Sequence, residues 1–376
     1  MRAIIAIKNS NIKLNHYDVK QINKILRGQR EGTYNVSGRT CYYILRQPVK
    51  INDVIYRSVK IKGCGYKNVD TNEYYKVGYE VFFRKDPHIG FDNNKNIRLI
   101  YSDIAPLGGI TFRKAKNEYY NFFKLYKKGV STLLPYSVVI YKHKRNNNQK
   151  IGASIALCED MYGFRMNKLF YENKYITSNE MAYYNSILKN EDIVGDIYDI
   201  NIRLKLCCVI ARKYASEIKK FSEAGLYIHS GGWSNIQYSL SRKKVVLVDL
   251  DSSKKVDTED IELIKLYNIR DFVSNLYRLL ISLYNPKVIH QIDSNILNNN
   301  NLILALLEGY FDKEDKETLK EISYRILNFY YDRCFIKIKN IEHIMDTIKD
   351  EEKKNYELNT KDFYEFCLKL LCDLIE

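Results

Sequence analysis

No apolar run in this 376-residue chain approaches the about 20 residues needed to cross a bilayer as a helix. That absence excludes a helical integral membrane protein. The opening stretch holds Ile4-Ile5-Ala6-Ile7 but turns polar too soon for a secretory leader. Eight cysteines are present without a CxxC pair or a Cys/His cluster, which argues against zinc sites and disulfide scaffolds. Core thiols in a reducing cytoplasm are the expectation, with Cys367 and Cys372 set in an apolar helical pattern. No internal repeat is visible, and the glycines form no GxGxxG.

What is present points to a folded, basic protein. Apolar residues make up 45% of the chain, enough to build a core, and the length admits two lobes or domains. The net charge is +15, but Asn, Lys, Ile and Tyr are abundant together, as in an AT-rich coding sequence. A solvated basic surface is therefore the plain reading, and a nucleic acid or an acidic protein partner is the alternative.

A strand followed by a helix, Val19 to Leu26, is expected in the first 30 residues. The Gly28–Gly38 segment joins it to a β-prone run, Thr40 to Leu45. Glycines between strands let backbone approach a phosphate, although an ordinary hairpin has the same composition. A second run, Val54 to Ile61, ends at Lys62. Strand alternation puts Lys60 and Lys62 on one face, with Val59 and Ile61 on the other. A helix is predicted from Phe112 to Lys128 and closed by Gly129, with Glu118 one turn before Phe122. Two strands, Tyr136–Tyr141 and Ile151–Leu157, flank a polar hairpin tip and run into Cys158-Glu-Asp-Met-Tyr-Gly-Phe164.

Apolar residues Leu206, Ile210, Tyr214, Ile218 and Phe221 predict a long helix from Ile202 to Ala224. It leads into the loop His229-Ser-Gly-Gly-Trp-Ser-Asn235 and then the strand Val245–Val248, which ends at Asp249 and Asp251. An amide oxygen and carboxylates brought together at a strand end can hold a divalent metal against phosphate oxygens. A capping turn is the plainer use of the same residues. Trp233, the single tryptophan, is expected to pack in the core. A helix is read over Ile269–Ile281, with polar breaks at Asn298–Asn301 and about Asp350–Asn359 and an amphipathic tail, Phe363–Ile375.

The order of these parts resembles the atypical protein-kinase-like superfamily over roughly residues 28 to 285, with Val59-Lys-Ile-Lys62 fitting its V-x-I-K strand. The resemblance implies an α+β, two-lobed fold: a β-rich N-lobe, 1–158, with an insertion at 63–109, and a helical C-lobe, 159–376. It implies ATP and Mg2+ as cofactors. Lys62 would hold the phosphates, with Lys60 in reserve, and Glu118 would orient the lysine. Glu159, Met161 and Tyr162 would line the adenine site, and Asn235, Asp249 and Asp251 would hold metal. Asp271, on a helix resembling that of small-molecule kinases, would brace the catalytic loop.

One part departs from the pattern. The slot where kinases carry the base Asp is Ser230, a poor proton acceptor. His229 or Asp251 would have to serve as base if ordinary phosphoryl transfer to a protein or small-molecule hydroxyl takes place. Selenoprotein O-like pseudokinases are similar in lacking that Asp while keeping the metal Asn and Asp, and they transfer AMP. A catalytically silent nucleotide- or RNA-binding module is the third expectation.

Overall fold

The longest strands form where β-prone residues run together, and Val54–Lys62 and Gln149–Cys158 are buried on both faces along most of their length. In the computed structural model, β1 (Ala3–Lys8) is followed by α1 (His16–Leu26), β2 (Tyr34–Val36), β3 (Thr40–Ile51) and β4 (Val54–Lys62). A two-residue turn, Asn52-Asp53, joins β3 to β4 with φ of 46° and 65°, the left-handed pair that tight hairpins require. The structure describes the chain apart from residues 1–2, 37–38, 68–73, 76–84, 104–108, 147–148, 230–231, 284–286, 290–291, 293–300, 336–349 and 375–376.

The main sheet has the order β1-β10-β11-β4-β3-β2, where β10 is Leu134–Asn146 and β11 is Gln149–Cys158. Both β10 and β11 extend into the segment read from sequence as a hairpin tip. Cross-strand register fixes the two faces. Cys41, Ile61 and Ile155 stand in one row and pack, with Tyr43 and Val59, against Ile22, Ile25 and Leu26 of α1. Tyr42, Lys60 and Ala156 stand in the neighbouring row and point the other way, toward the helical half. That second face also carries Ser58, Lys62 and Ser154, all buried.

The insertion contributes β5 (Tyr66–Lys67), β6 (Tyr74–Tyr75), β7 (Lys85–Phe91) and β8 (Ile97–Asp103). The β7–β8 hairpin turns on Asp92, whose carboxylate accepts from the backbone N–H of Asn94 and Asn96. It docks on the helical half: Arg270 Nε donates to the Ile89 carbonyl at 2.8 Å, and the Phe91 and Tyr267 rings meet edge to face at 5.1 Å. The short β9 (Ile110–Thr111) pairs with β11 and leads directly into α2 (Phe112–Lys127). Thr111 caps α2 by accepting from Lys114 N, and Gly129 follows its end with φ 76°.

The helical half is built on α3 (Ser178–Asn190), α4 (Ile200–Glu223) and α5 (Ile261–Ser282). Helix α3 starts with a capping box of Thr177 and Glu180. Helix α4 buries Leu206, Ile210, Tyr214, Ile218 and Phe221, the face its periodicity predicts. Helix α5 starts well before the expected Ile269, because Asp260 caps it by accepting from Leu263 N. The polar break expected at Asp350–Asn359 is instead the start of a helix, Asp350–Leu371. Glu and Lys there are good helix formers, so polarity did not signal a break. The tail packs as expected, with Phe363, Cys367 and Leu371 buried. No helix among the described residues is long and apolar enough to cross a membrane.

Candidate active site

Lys60 and Lys62 leave β4 on the face turned toward the helical half, and α2 lies against that face. Glu118 therefore meets both ammoniums. Lys60 Nζ donates to Glu118 Oε1 at 2.9 Å and also to the Val248 carbonyl, while Lys62 Nζ is 3.6 Å from Glu118. The second Glu118 oxygen accepts from Ser154 Oγ of β11. Lys62 is held instead by the strand-end carboxylates, at 2.5 Å from Asp249 Oδ1 and 2.9 Å from Asp251 Oδ2. The sequence favoured Lys62 as the partner of Glu118. The closer pairing is with Lys60.

Two further cations complete the cluster. Arg39 Nη2 lies 3.6 Å from Asp251, and Lys114 Nζ lies 3.9 Å from Asp251 while donating to Ser252 Oγ at 3.1 Å. Neither was singled out from sequence. Lys114 carried a signal, since it precedes Glu118 by four positions on one helix face. Arg39 had only its place between the Gly28–Gly38 segment and β3.

The short β12 (Leu226–Tyr227) precedes the loop, and Asp249 and Asp251 reach the cluster from the end of β14 (Lys244–Leu247), which pairs with β13 (Ile236–Ser239). Asn235 closes a helical turn, Gly232–Asn235, and its carbonyl accepts from Val248 N at 3.2 Å. The Asn235 backbone is thus tied directly to the strand that delivers Asp249.

Burial and pairing compete for every charge. Burial dominates at Lys60 and lowers its pKa despite Glu118. Burial would lower Lys62 too, but Asp249, Asp251 and Glu118 together outweigh it and hold the ammonium above the usual lysine range. Burial would raise Asp251, yet Lys62, Lys114 and Arg39 hold it well below the usual carboxylate range. Asp249 is lowered in the same way, against burial, chiefly by Lys62, and keeps 21% of its side chain exposed.

A hard divalent cation suits this donor set only in part. Among the described residues no group of three or more His, Cys, Asp or Glu side chains converges as a metal site. Two carboxylates one residue apart, completed by an amide oxygen and a ligand's phosphates, are the set that Mg2+ ordinarily accepts.

Beneath the loop, Asp271 of α5 accepts from His229 N at 3.0 Å and pairs with Arg270. Asn275 Oδ1 accepts from Gly232 N at 2.8 Å and from Tyr214 OH. These bonds brace the loop from below, and Asn275 was not foreseen. His229 is 1% exposed, lies 3.2 Å from Tyr214 OH through Nδ1, and packs against the rings of Tyr214 and Phe221. Burial lowers its pKa to about 4. A ring so enclosed offers an acceptor hydroxyl no path, which counts against the role of base. Ser230 lies outside the described residues. Trp233 is core, 4.6 Å from the Phe170 ring.

After β11 the chain turns through the segment expected to read a nucleobase. Glu159 is already engaged, paired with Arg242 at 2.5 Å and accepting from Ser239 and Ser241. Asp160 shapes the turn by accepting from the backbone N–H of Tyr162, Gly163 and Phe164. Met161 is exposed, and the Tyr162 ring stacks on Phe164 at 5.1 Å.

No family model and no curated protein matches the chain. The solved structures that resemble it weakly include two that cover most of this chain. One, WaaP in complex with acyl carrier protein, has 11% identity and a TM-score of 0.35 over 88% of this chain and 100% of that one. The other, glucosamine kinase in complex with glucosamine, ADP and inorganic phosphate, has 8% identity and a TM-score of 0.27 over 91% and 96% of the respective chains. Likeness at that level decides nothing about chemistry, which rests on the side chains described above.

Proposed function

We propose that the chain is an atypical kinase-like phosphotransferase that binds ATP with Mg2+ and transfers a phosphoryl group to a hydroxyl of a protein or small molecule. In this reading residues 1–158 are the N-lobe and 159–376 the C-lobe of a two-lobed fold. The observation that carries it is the buried cluster in which Arg39, Lys60, Lys62 and Lys114 face Glu118, Asp249 and Asp251. Buried ion pairs are poor devices for stability, since apolar side chains of the same volume do as well or better. A cluster of four cations and three carboxylates at a strand end therefore reads as function, and its excess of positive charge suits a polyanion.

Lys62 now bridges Asp249 and Asp251, where a divalent cation would lie. When bound there, Mg2+ would neutralise phosphate charge in the transition state. Asp249, Asp251 and Asn235 would hold it. Lys62, released from the two carboxylates, has its ammonium free for phosphate oxygens, and Arg39 and Lys114 add positive charge beside it. Glu118 and Lys60 stay paired and fix the geometry of the lysine strand. Asp251, tied to Lys62, Arg39 and Lys114, is too acidic to be an effective base. Phosphoryl transfer through a loose transition state rests mainly on positioning and electrostatics, so the weak base is compatible with it. Ser230 in the base slot favours adenylyl transfer as the second reading, and parallel α- and γ-labelled ATP separates the two. The γ-label is expected on the acceptor.

The site itself is tested by melting. Mg-ATP at about 100 times its Kd should stabilise the fold by about 2.7 kcal/mol. Asp249→Asn should remove most of the Mg-dependent part and leave the fold intact, because Lys62 keeps Asp251 and Glu118. A wild-type protein that shows no shift with Mg-ATP at millimolar concentration rules the site out.

A further inference from the structure

The face of the sheet that carries Lys60 and Lys62 also carries Tyr42, and Tyr42 is completely buried. It stands directly across from Lys60 on the neighbouring strand, as Thr40 stands across from Lys62. Its ring leaves the sheet and belongs to the core shared with the helical half, together with Phe164, Trp233 and Val246. One hydrogen bond and one close backbone approach seat it. The phenol oxygen accepts from Gln237 Nε2 of β13 at 2.6 Å, so the side chain spans from the sheet to the opposite wall. Gln237 is locked in turn, because its Oε1 accepts from Cys158 Sγ at 3.1 Å. The close approach is to the backbone of Gly163, just after the turn at Glu159–Tyr162. A Cβ on Gly163 would lie 2.1 Å from Tyr42 Cζ, so only glycine there admits the ring.

The location matters because of what lies beside it. Resting on the phosphate reading of Lys62 and Asp249 given above, a nucleotide would place its phosphates at that end of the strand. Its base would extend along the same face toward the turn. Tyr42 is two residues along β3 from Thr40, about 7 Å at the usual strand rise. It fills the gap between sheet, turn and β13 where a flat heteroaromatic ring would be sandwiched. The phenol oxygen also takes up the Gln237 amide that faces that gap.

We infer that Tyr42 is a specificity-determining residue that occupies the base slot of the cleft, so that the protein recognises the phosphate part of its donor and admits a base only when the Tyr42 ring leaves. The chemical class it takes in this closed form is a Mg-bound polyphosphate, and the base of any attached nucleoside stays outside the slot.

Isothermal titration of the full chain with Mg-tripolyphosphate and with Mg-ATP tests this. Wild type is expected to bind the two with similar affinity. Tyr42→Val, which keeps a strand-favouring side chain and empties the ring's volume, is expected to tighten Mg-ATP about tenfold, equivalent to about 1.4 kcal/mol, and leave Mg-tripolyphosphate unchanged. Tyr42→Phe keeps the ring and should behave as wild type in this ratio. Far-UV circular dichroism checks the fold, and Tyr42→Leu replaces the valine variant if that one does not fold. Wild type binding Mg-ATP about tenfold tighter than tripolyphosphate, with Tyr42→Val weakening ATP, would show a Tyr42 that supports the base. That result overturns the inference and leaves the phosphate site standing. If neither probe binds a folded wild type or variant, the phosphate reading fails and this inference falls with it.

Discussion

Glu118→Gln is expected to destabilise the protein by about 3–5 kcal/mol, because it leaves two buried ammoniums facing a neutral amide. Glu118, Lys60 and Lys62 are each at most 3% exposed, so water cannot replace the lost carboxylate. Lys60 suffers more than Lys62. Its pKa is already lowered by burial, and its other close partner is the Val248 carbonyl. Lys62 retains Asp249 and Asp251. The pair Lys60→Met with Glu118→Leu should therefore recover much of the loss, since an apolar pair of similar volume replaces a buried ion pair without leaving a charge behind. In a double-mutant cycle on urea unfolding, the Lys60–Glu118 coupling should reach about 2 kcal/mol and exceed the coupling of Glu118 to Lys62→Met. A larger coupling to Lys62 would contradict the 2.9 Å and 3.6 Å separations from which the pairing is read.

That comparison also marks where the sequence stopped being legible. Alternation in Val59-Lys-Ile-Lys62 put both lysines on one face, and helical spacing put Glu118 on the face of α2 that meets them. Which lysine takes the carboxylate depends on how α2 slides along β4 and β11, a tertiary register that no local pattern encodes. The helices with strong apolar periodicity, α2 and α4, were foreseen nearly to their ends. The early start of α5 and the helix from Asp350 were not, because caps and helix-forming charged residues were read as loop. Arg39, Lys114 and Asn275 act across the interior on partners far away in sequence. Tyr42 was hidden as one more aromatic in a β-prone run, and only its position opposite Lys60 and above Gly163 gives it meaning. The docking of the β7–β8 hairpin on α5 is equally a long-range fact, carried by the Arg270–Ile89 bond.

Stability should fall as the pH drops from about 6.5 to about 4, and His229 should account for about 3 kcal/mol of that fall. The ring is buried between Tyr214 and Phe221, with Nε2 lacking a hydrogen-bond partner among the described residues, and burial lowers its pKa to about 4. The charges acting on it oppose one another: Asp249 favours the imidazolium, whereas Arg278 and Arg270 disfavour it. In the unfolded chain the ring titrates near 6.5, its ordinary value. Between those two values the unfolded state binds the proton and the folded state does not, so stability is fully present above 6.5 and is lost as the pH falls toward 4. His88, buried and lowered to about 2 first by burial and then by Arg270, acts in the same direction. The depressed Asp249 and Asp251 add their loss only at lower pH, below the ordinary carboxylate value of 3.8. His229→Phe keeps a ring between Tyr214 and Phe221, and Tyr214 keeps its bond to Asn275. The variant should flatten the profile by about one proton's worth of slope in urea unfolding series across this range. Identical slopes in wild type and variant would mean that the ring is not held neutral in the fold. The same group then bears on catalysis. A histidine acting as base would make phosphoryl transfer titrate near neutrality. A ring enclosed and held near 4 leaves the rate flat from about pH 6 to 8, so a rate that titrates near neutrality and loses that dependence in His229→Phe would overturn the reading of a buried, neutral His229.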